Sequence, residues 1–219
     1  MKKTFALMII ALLASGCAPT PYWTLTDDLN QVVKSKSFQM NVPQGWVRTT
    51  EPVTWERVEI DGEARTLLLE SMGVTRDGVG IHAVSVTRRY PDTAFPNIKK
   101  KSSANMLPPE AADLYVSELR KRSGLERLTV LSNKPARIAD KQGFELLMQF
   151  KNDDGLRIQI LTYGFVDKTG FYIISYRAPV LYFYERDYAS FKKLVASFRQ
   201  LPAANDPPPE IPGWAKLFT

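Results

Sequence analysis

Alternating apolar and polar residues mark several short extended segments along the chain. Residues 38–42 read Phe-Gln-Met-Asn-Val, and residues 144–150 place an apolar side chain at every second position. A period of two is typical of strands with one buried face. Asp61-Gly62 and residues 167–170 supply turn residues between such segments, which favours antiparallel hairpins. The pattern predicts strands at 38–42, 58–60, 65–71, 81–88, 144–150, 156–160 and 171–176.

The last of these segments is apolar on both faces. Phe171 and Ile173 would lie on one side of a sheet, and Tyr172, Ile174 and Tyr176 on the other. A strand of this kind is usually covered on both faces. The segment therefore predicts a layered domain in place of an open sheet.

Two segments have apolar residues at helical spacing. The first begins at Pro109, where a missing N–H is tolerated, and Gly124 would cap its C-terminus. The second follows residue 184 and ends near Phe198. Between residues 91 and 108 the pattern disappears, which predicts a polar, mobile loop. The fold class is predicted to be α+β: an antiparallel β-sheet covered by helices. The apolar positions are Ala111, Leu114, Tyr115 and Leu119 in the first helix, and Tyr188, Phe191, Leu194, Val195 and Phe198 in the second.

The first 16 residues predict an export signal. Lys2 and Lys3 precede an unbroken apolar run from residue 5 to 14, and small residues follow it. This run is shorter than the ~20 residues that a membrane-spanning helix needs. Residues 13–17, Leu-Ala-Ser-Gly-Cys, resemble a bacterial lipobox, with Ala14 where leucine is commonest. The resemblance implies that the Cys17 thiol is acylated and that cleavage makes Cys17 the new N-terminus.

Cys17 is the only cysteine, so the chain has no internal disulfide. The alternative is an ordinary cleaved signal peptide with an incidental cysteine. An acylated Cys17 predicts a protein of the cell envelope whose first partner is the membrane. Ala18, where Asp would retain a lipoprotein at the inner membrane, implies the periplasmic side of the outer membrane in a Gram-negative host. The predicted organisation is a signal peptide at 1–16, a lipidated tether leading into the domain at 17–36, a single α/β domain at 37–201 and a Pro-rich tail at 202–219.

The net charge is compatible with the predicted exported domain. The chain has 29 Lys+Arg and 23 Asp+Glu, for +6, and losing Lys2 and Lys3 leaves 27 against 23, or +4. Opposite charges are mixed along the chain. A nucleic-acid partner is not expected, because it would require a concentrated basic face and access to the cytoplasm.

The order of several motifs resembles PsbP-like domains. "FQMNVPQGW" is similar to their opening strand and turn, and "GFELLMQF", "YIISYRAP" and "FKKLVASF" are similar to their closing strands and helix. Together these motifs span roughly residues 37–200. The resemblance implies an α/β/α sandwich and an accessory, assembly or binding role. It transfers no functional residue, because the matching positions are structural.

Candidate catalytic residues are few. His82, the only histidine, falls in a predicted strand and is interpreted as structural. A metal site of Cys and His ligands cannot be assembled from this composition. Residues 152–155, Asn-Asp-Asp-Gly, have the letters of a calcium loop but not its ligand spacing, and predict a hairpin turn. No enzyme activity, metal or cofactor is expected, although paired carboxylates remain an alternative, from Glu56, Glu59, Glu70 and Glu145.

Two segments are candidate binding surfaces. The Lys99–Lys101 run would be either a solvated loop or a contact with anionic headgroups or an acidic partner. Aromatic residues crowd the link before the second helix and would be either a buried joint or a binding surface. The leading hypothesis is a non-enzymatic envelope lipoprotein that binds a protein partner or assists assembly. The second is a module that binds a small or lipidic ligand. The aromatic residues concerned are Tyr176, Tyr182, Phe183, Tyr184 and Tyr188.

Overall fold

The computed structural model describes residues 23–25, 31–34, 37–49, 57–61, 64–74, 82–91, 93–122, 125 and 127–202. For 23–25, 31–34, 48–49, 57–61 and 64–71 it describes the backbone alone. The predicted signal peptide, Cys17 and the tail beyond residue 202 lie outside the described residues.

Strands dominate the described chain, and two helices interrupt them. The strands are β1 (Trp23–Leu25), β2 (Gln31–Lys34), β3 (Phe38–Val42), β4 (Val47–Thr49), β5 (Arg57–Asp61), β6 (Ala64–Gly73), β7 (Ala83–Arg89), β8 (Thr129–Ile138), β9 (Lys141–Lys151), β10 (Arg157–Asp167), β11 (Gly170–Pro179) and β12 (Arg199–Gln200). The helices are α1 (Pro108–Leu119) and α2 (Phe183–Ser197).

The strands within the described ranges form two sheets. The larger has nine strands in the order β1-β4-β6-β7-β11-β10-β9-β8, with β5 also paired to β6. The smaller has the order β12-β3-β2. Every strand pair is antiparallel. The predicted α+β class, an antiparallel sheet covered by helices, is therefore confirmed.

Each face of the large sheet carries its own core. Phe171 and Ile173 pack with α1, and Tyr172, Ile174 and Tyr176 pack with α2 and the small sheet. The prediction that β11 is covered on both sides is confirmed. The α1 side is largely aliphatic, whereas the α2 side is rich in stacked aromatic rings.

The turn chemistry explains two of the hairpins. β5 and β6 pair from Asp61 to Ala64, as the Asp-Gly turn predicts. At residues 152–155 the Asn152 Oδ1 accepts the Leu156 N–H at 2.8 Å, and Gly155 has a φ of +78°. This is a hairpin turn between β9 and β10, as predicted. The Asn152 side chain closes it by accepting a backbone N–H group of the turn.

Several element boundaries differ from the predictions. Strand β8 was not predicted, and β1 and β2 lie inside the segment predicted as tether. Helix α1 ends at Leu119 with Arg120 as its C-cap, earlier than a cap at Gly124 requires. Leu156 lies before β10 and is exposed, and His82 lies just before β7 instead of inside it. In the part of the chain described, no helix has the length and hydropathy needed to cross a bilayer.

The segment before α1 is tied down, which corrects the prediction of a mobile loop. Phe95 is buried and its ring packs edge-on to Phe171, with centroids 5.6 Å apart. The Arg89 guanidinium donates to the Ala94 carbonyl at 3.0 Å and lies over the Phe95 ring. Sequence periodicity could not show this, because isolated contacts hold the segment: one aromatic ring, the side chains of Arg89 and Glu118, and backbone bonds.

Candidate functional site at the start of helix α2

The link between β11 and α2 presents three apolar side chains to solvent. Leu181 is 83% exposed, Tyr182 65% and Phe183 37%. Leu156, on the neighbouring hairpin, is 38% exposed, and it directly precedes Arg157, whose carbonyl accepts the Val180 N–H at 3.0 Å. We refer to Leu181, Tyr182 and Phe183 as the α2 tip.

The backbone of the α2 tip is strained. Tyr182 has a φ of 69° and a ψ of −55°, and the Phe183 N–H donates to the Leu181 carbonyl at 2.8 Å. These values describe a γ-turn of the rare, strained kind. Backbone strain of this type persists only where surrounding contacts enforce it, and it clusters at functional positions.

A buried hydrogen-bond network enforces the strained turn from below. The Tyr176 hydroxyl, on β11, is placed to donate to the Phe183 carbonyl at 3.0 Å and to the Tyr184 carbonyl at 3.1 Å. His82 Nε2 lies 3.1 Å from the same hydroxyl oxygen. The network therefore joins the residue before β7, the end of β11 and the first turn of α2.

Burial keeps His82 neutral in this network. The side chain is 2% exposed, and burial lowers the pKa of His82 to about 4, although Asp187 opposes this shift. Asp187 Oδ2 lies 3.3 Å from His82 Nε2 and 2.7 Å from both Nε and Nη2 of Arg186. Arg186 thus compensates the carboxylate and also lies over the rings of Tyr182 and Phe183.

The geometry does not suit a proton relay. A catalytic triad needs the two ring nitrogens of histidine to face different groups, one the nucleophile and the other the orienting carboxylate. Here Tyr176 and Asp187 share Nε2, and the buried Nδ1 has no hydrogen-bond partner. The simplest assignment puts the proton on Nε2, because an unpaired acceptor at Nδ1 is more tolerable than an unpaired donor. Burial also raises the pKa of Tyr176, so its hydroxyl keeps its proton.

Aromatic rings fill the space between the sheet and α2. Tyr176 stacks with Tyr184 at 5.4 Å between centroids and with Phe191 at 5.2 Å. Tyr163 donates to Glu145, and burial, with this carboxylate, raises the pKa of Tyr163. The Tyr184 hydroxyl is buried without a hydrogen-bond partner.

The structure separates the aromatic residues predicted as one group. Tyr176 and Tyr184 are buried and Tyr188 is half-buried, so they form the joint between β11 and α2. Tyr182 and Phe183 are exposed and form the tip. Leu181 was not predicted as a candidate, and its signal in the sequence is its place in an apolar run next to a predicted helix start.

The structure describes only some of the other candidate side chains. The side chains of Lys99, Lys100 and Lys101 are exposed. Glu56, together with the side chains of Glu59 and Glu70, lies outside what the structure describes. Among the residues that it does describe, no three His, Cys, Asp or Glu side chains are grouped so as to hold a metal ion.

Comparisons with known proteins identify the fold. No protein-family model and no curated protein matches the chain. The solution structure of cyanobacterial PsbP, CyanoP, from Synechocystis sp. PCC 6803 is similar with a TM-score of 0.50 and 8% identity, covering 85% of this chain and 96% of that one. The chain therefore has a PsbP-like α+β fold.

Two further solved structures are more distant. PA94 from Pseudomonas aeruginosa, a protein of unknown function, gives a TM-score of 0.40 at 10% identity, covering 80% of this chain and 99% of that one. LpqN, involved in cell envelope biogenesis of Mycobacterium tuberculosis, gives a TM-score of 0.36 at 11% identity, covering 86% of this chain and 88% of that one.

Proposed function

We propose that the chain is an exported lipoprotein, anchored through Cys17, whose domain is a non-enzymatic accessory module that binds an envelope protein through the α2 tip. In a Gram-negative host, Ala18 after the acylated cysteine supports a location on the periplasmic side of the outer membrane. The PsbP-like fold is compatible with an accessory role but does not by itself assign one.

The observation that carries the proposal is the exposure of a rigid apolar tip. A Leu, a Tyr and a Phe in succession face solvent, and large apolar and aromatic side chains dominate the energetics of protein interfaces. A strained turn held by a buried network is already ordered, so a partner that binds it loses little free energy in ordering it.

The geometry of His82 supports a non-enzymatic role. Its two partners share one nitrogen, and its low pKa leaves it neutral near neutral pH. The residue braces the tip instead of exchanging protons with a substrate. The second hypothesis, a small or lipidic ligand between sheet and helix, has less support because stacked rings occupy the space beneath α2.

Site-specific crosslinking tests the proposal. The full chain, expressed in its own host with a photoreactive amino acid at Leu181, should form an adduct with one envelope protein. Tyr182→Ser should reduce this adduct at least ~10-fold, because hot-spot aromatic residues contribute 2 kcal/mol or more to interfaces. The same photoreactive group at Lys168, an exposed residue in the turn between β10 and β11, is the matched control.

Two outcomes would contradict the proposal. One is the same set of adducts from both positions, since that would show diffusive encounters. The other is a catalytic turnover by the purified protein that is lost on replacing His82 or Glu145.

A further inference from the structure

A second surface is formed by six cationic side chains, all of them exposed. Residues 93–122 contain six Lys+Arg and three carboxylates, a balance of +3, against +4 for the whole predicted mature chain. Most of the excess positive charge therefore lies in this one segment. We refer to it as the basic surface, which consists of Lys99, Lys100, Lys101, Arg120, Lys121 and Arg122.

A buried carboxylate brings the two basic runs together. Glu118, near the end of α1, is 0% exposed and accepts the Asn97 N–H at 3.1 Å, the Asn97 Nδ2 at 2.5 Å and the Ile98 N–H at 3.3 Å. Its other near neighbour is the Arg122 Nε at 4.0 Å. Lys99 therefore follows directly on a residue bound to Glu118, and Arg122 lies against the same side chain.

The loop that carries the lysines has a defined shape. The Phe95 N–H donates to the Lys100 carbonyl at 2.8 Å, and the Lys99 N–H donates to the Phe95 carbonyl at 2.8 Å. Ala94 and Lys101 form an antiparallel bridge. Because the backbone is closed on itself, the three lysines are held in one short, ordered loop.

Few carboxylates of the same segment compensate these cations. Glu118 is buried beneath the basic surface, and Asp113 lies about 10 Å from Arg120 along the helix axis, at 1.5 Å per residue. Glu110 is a further turn away. The arrangement thus presents a concentrated positive charge to whatever lies over this end of α1.

We propose that the basic surface contacts the anionic phospholipid headgroups of the bilayer to which Cys17 tethers the chain. The proposal rests on the proposed anchoring. Each basic residue near an anionic leaflet is attracted to it, the contributions of several residues add, and the attraction fades within a Debye length.

The distances allow the lipid anchor and the basic surface to meet one bilayer. Cys17 is six residues before Trp23 in β1, a reach of up to roughly 20 Å of extended chain. The basic loop packs through Phe95 over β11, four strand positions from β1, or about 19 Å at the usual strand spacing. A tether this short confines the domain to the bilayer surface, which favours headgroups over an acidic protein that must first be encountered.

Lysine footprinting of the acylated full-length mature protein tests the inference. Reconstituted in vesicles of phosphatidylcholine with 30% phosphatidylglycerol, Lys99, Lys100, Lys101 and Lys121 should react with an amine reagent at least ~3-fold more slowly than in phosphatidylcholine alone. The protection should vanish in 0.5 M NaCl, because the Debye length then falls below ~5 Å. Lys192 and Lys193, exposed on α2 at the opposite face, should react equally in both vesicles.

A charge-reversal variant separates lipid contact from local structure. In the triple variant Lys99→Glu, Lys100→Glu, Lys101→Glu, the remaining reporter Lys121 should lose its protection, whereas Lys192→Glu with Lys193→Glu should leave it intact. Equal reactivity of Lys121 in the two vesicle types, or unchanged protection in the triple variant, overturns the proposal.

The remaining outcomes are also decisive. Protection in native membranes but not in the anionic vesicles overturns lipid contact and indicates an acidic protein. If the intact mass of the purified protein shows no acyl chains, the result contradicts the proposed anchoring and not the basic surface. Flotation of that unacylated chain with anionic vesicles then tests the basic surface by itself, with retention supporting the inference and no retention opposing it.

Discussion

Two buried titratable residues, Glu118 on the α1 side and His82 on the α2 side, connect a loop to a helix in very different ways. Glu118 accepts hydrogen bonds from the Asn97 and Ile98 backbone and from the Asn97 amide. His82 uses one nitrogen for two partners and leaves the other without any. One is a well-satisfied acceptor, and the other is a partly satisfied neutral group.

The difference in hydrogen bonding between Glu118 and His82 matches the kind of surface that lies above each residue. Glu118 organises an exposed surface of cations, and its hydrogen bonds replace the solvation that the carboxylate loses on burial. His82 sits beneath an apolar tip whose backbone is strained. The α2 side should therefore weaken in acid, as the pH falls below the ordinary pKa of histidine.

The largest expected effect is that of Glu118→Ala. It removes the acceptor of three N–H groups in a buried position, and we expect a loss of roughly 3–4 kcal/mol in the free energy of unfolding. Urea unfolding of the full chain measures it. Asp113→Ala, an exposed carboxylate on the same helix, should change stability by less than about 0.5 kcal/mol. Equal effects of the two substitutions would show that Glu118 does not hold the loop.

The pH dependence should come from the α2 side and be somewhat smaller. The folded pKa of His82, about 4, lies below its ordinary value of 6.5, so the unfolded chain takes up the proton first. Stability is then complete above pH 6.5 and falls, by at most about 3 kcal/mol, as the pH drops towards 4. The groups facing His82 are Asp187, Arg186 and Tyr176, and the Asp187 carboxylate moderates the loss.

Unfolding at pH 7.5, 5.5 and 4.5 measures this slope. His82→Gln removes the titrating group and should flatten the profile between pH 6.5 and 4, whatever it does to stability at pH 7.5. An undiminished slope in that variant would assign the acid sensitivity to other residues.

The smallest expected effect is a gain in stability. Tyr182→Gly relieves a positive φ that glycine tolerates, and should raise the free energy of unfolding by about 0.5–1 kcal/mol while abolishing crosslinking from Leu181. Ala139→Gly, in the turn between β8 and β9 with a φ of 53°, should give a similar gain and leave crosslinking unchanged. If Tyr182→Gly destabilises the protein, the strain in the tip has been misjudged.

Periodicity predicted the parts of the fold in which burial alternates with sequence. β9 and β11 and the apolar stripe of α2 follow it closely. β8 was missed because it is an edge strand, mostly exposed, and contains Pro135, which an edge tolerates and a central strand does not. No apolar alternation is left in such a strand for a pattern to detect.

The candidate surfaces were less predictable because each depends on a tertiary contact. The Lys99–Lys101 run is visible in the sequence, but its joining with Arg120, Lys121 and Arg122 depends on Glu118. The separation of Tyr182 from the buried Tyr184 likewise depends on the strained turn. Such contacts leave no periodic signal.

Both proposals place the domain at a lipid surface through Cys17, and mass spectrometry of the N-terminal tryptic peptide, residues 17–34, tests this most directly. The account predicts a peptide that begins at Cys17 and carries a diacylglyceryl group on sulfur, with or without an amide-linked fatty acid. An unmodified Cys17, or a mature N-terminus at another residue, would contradict it.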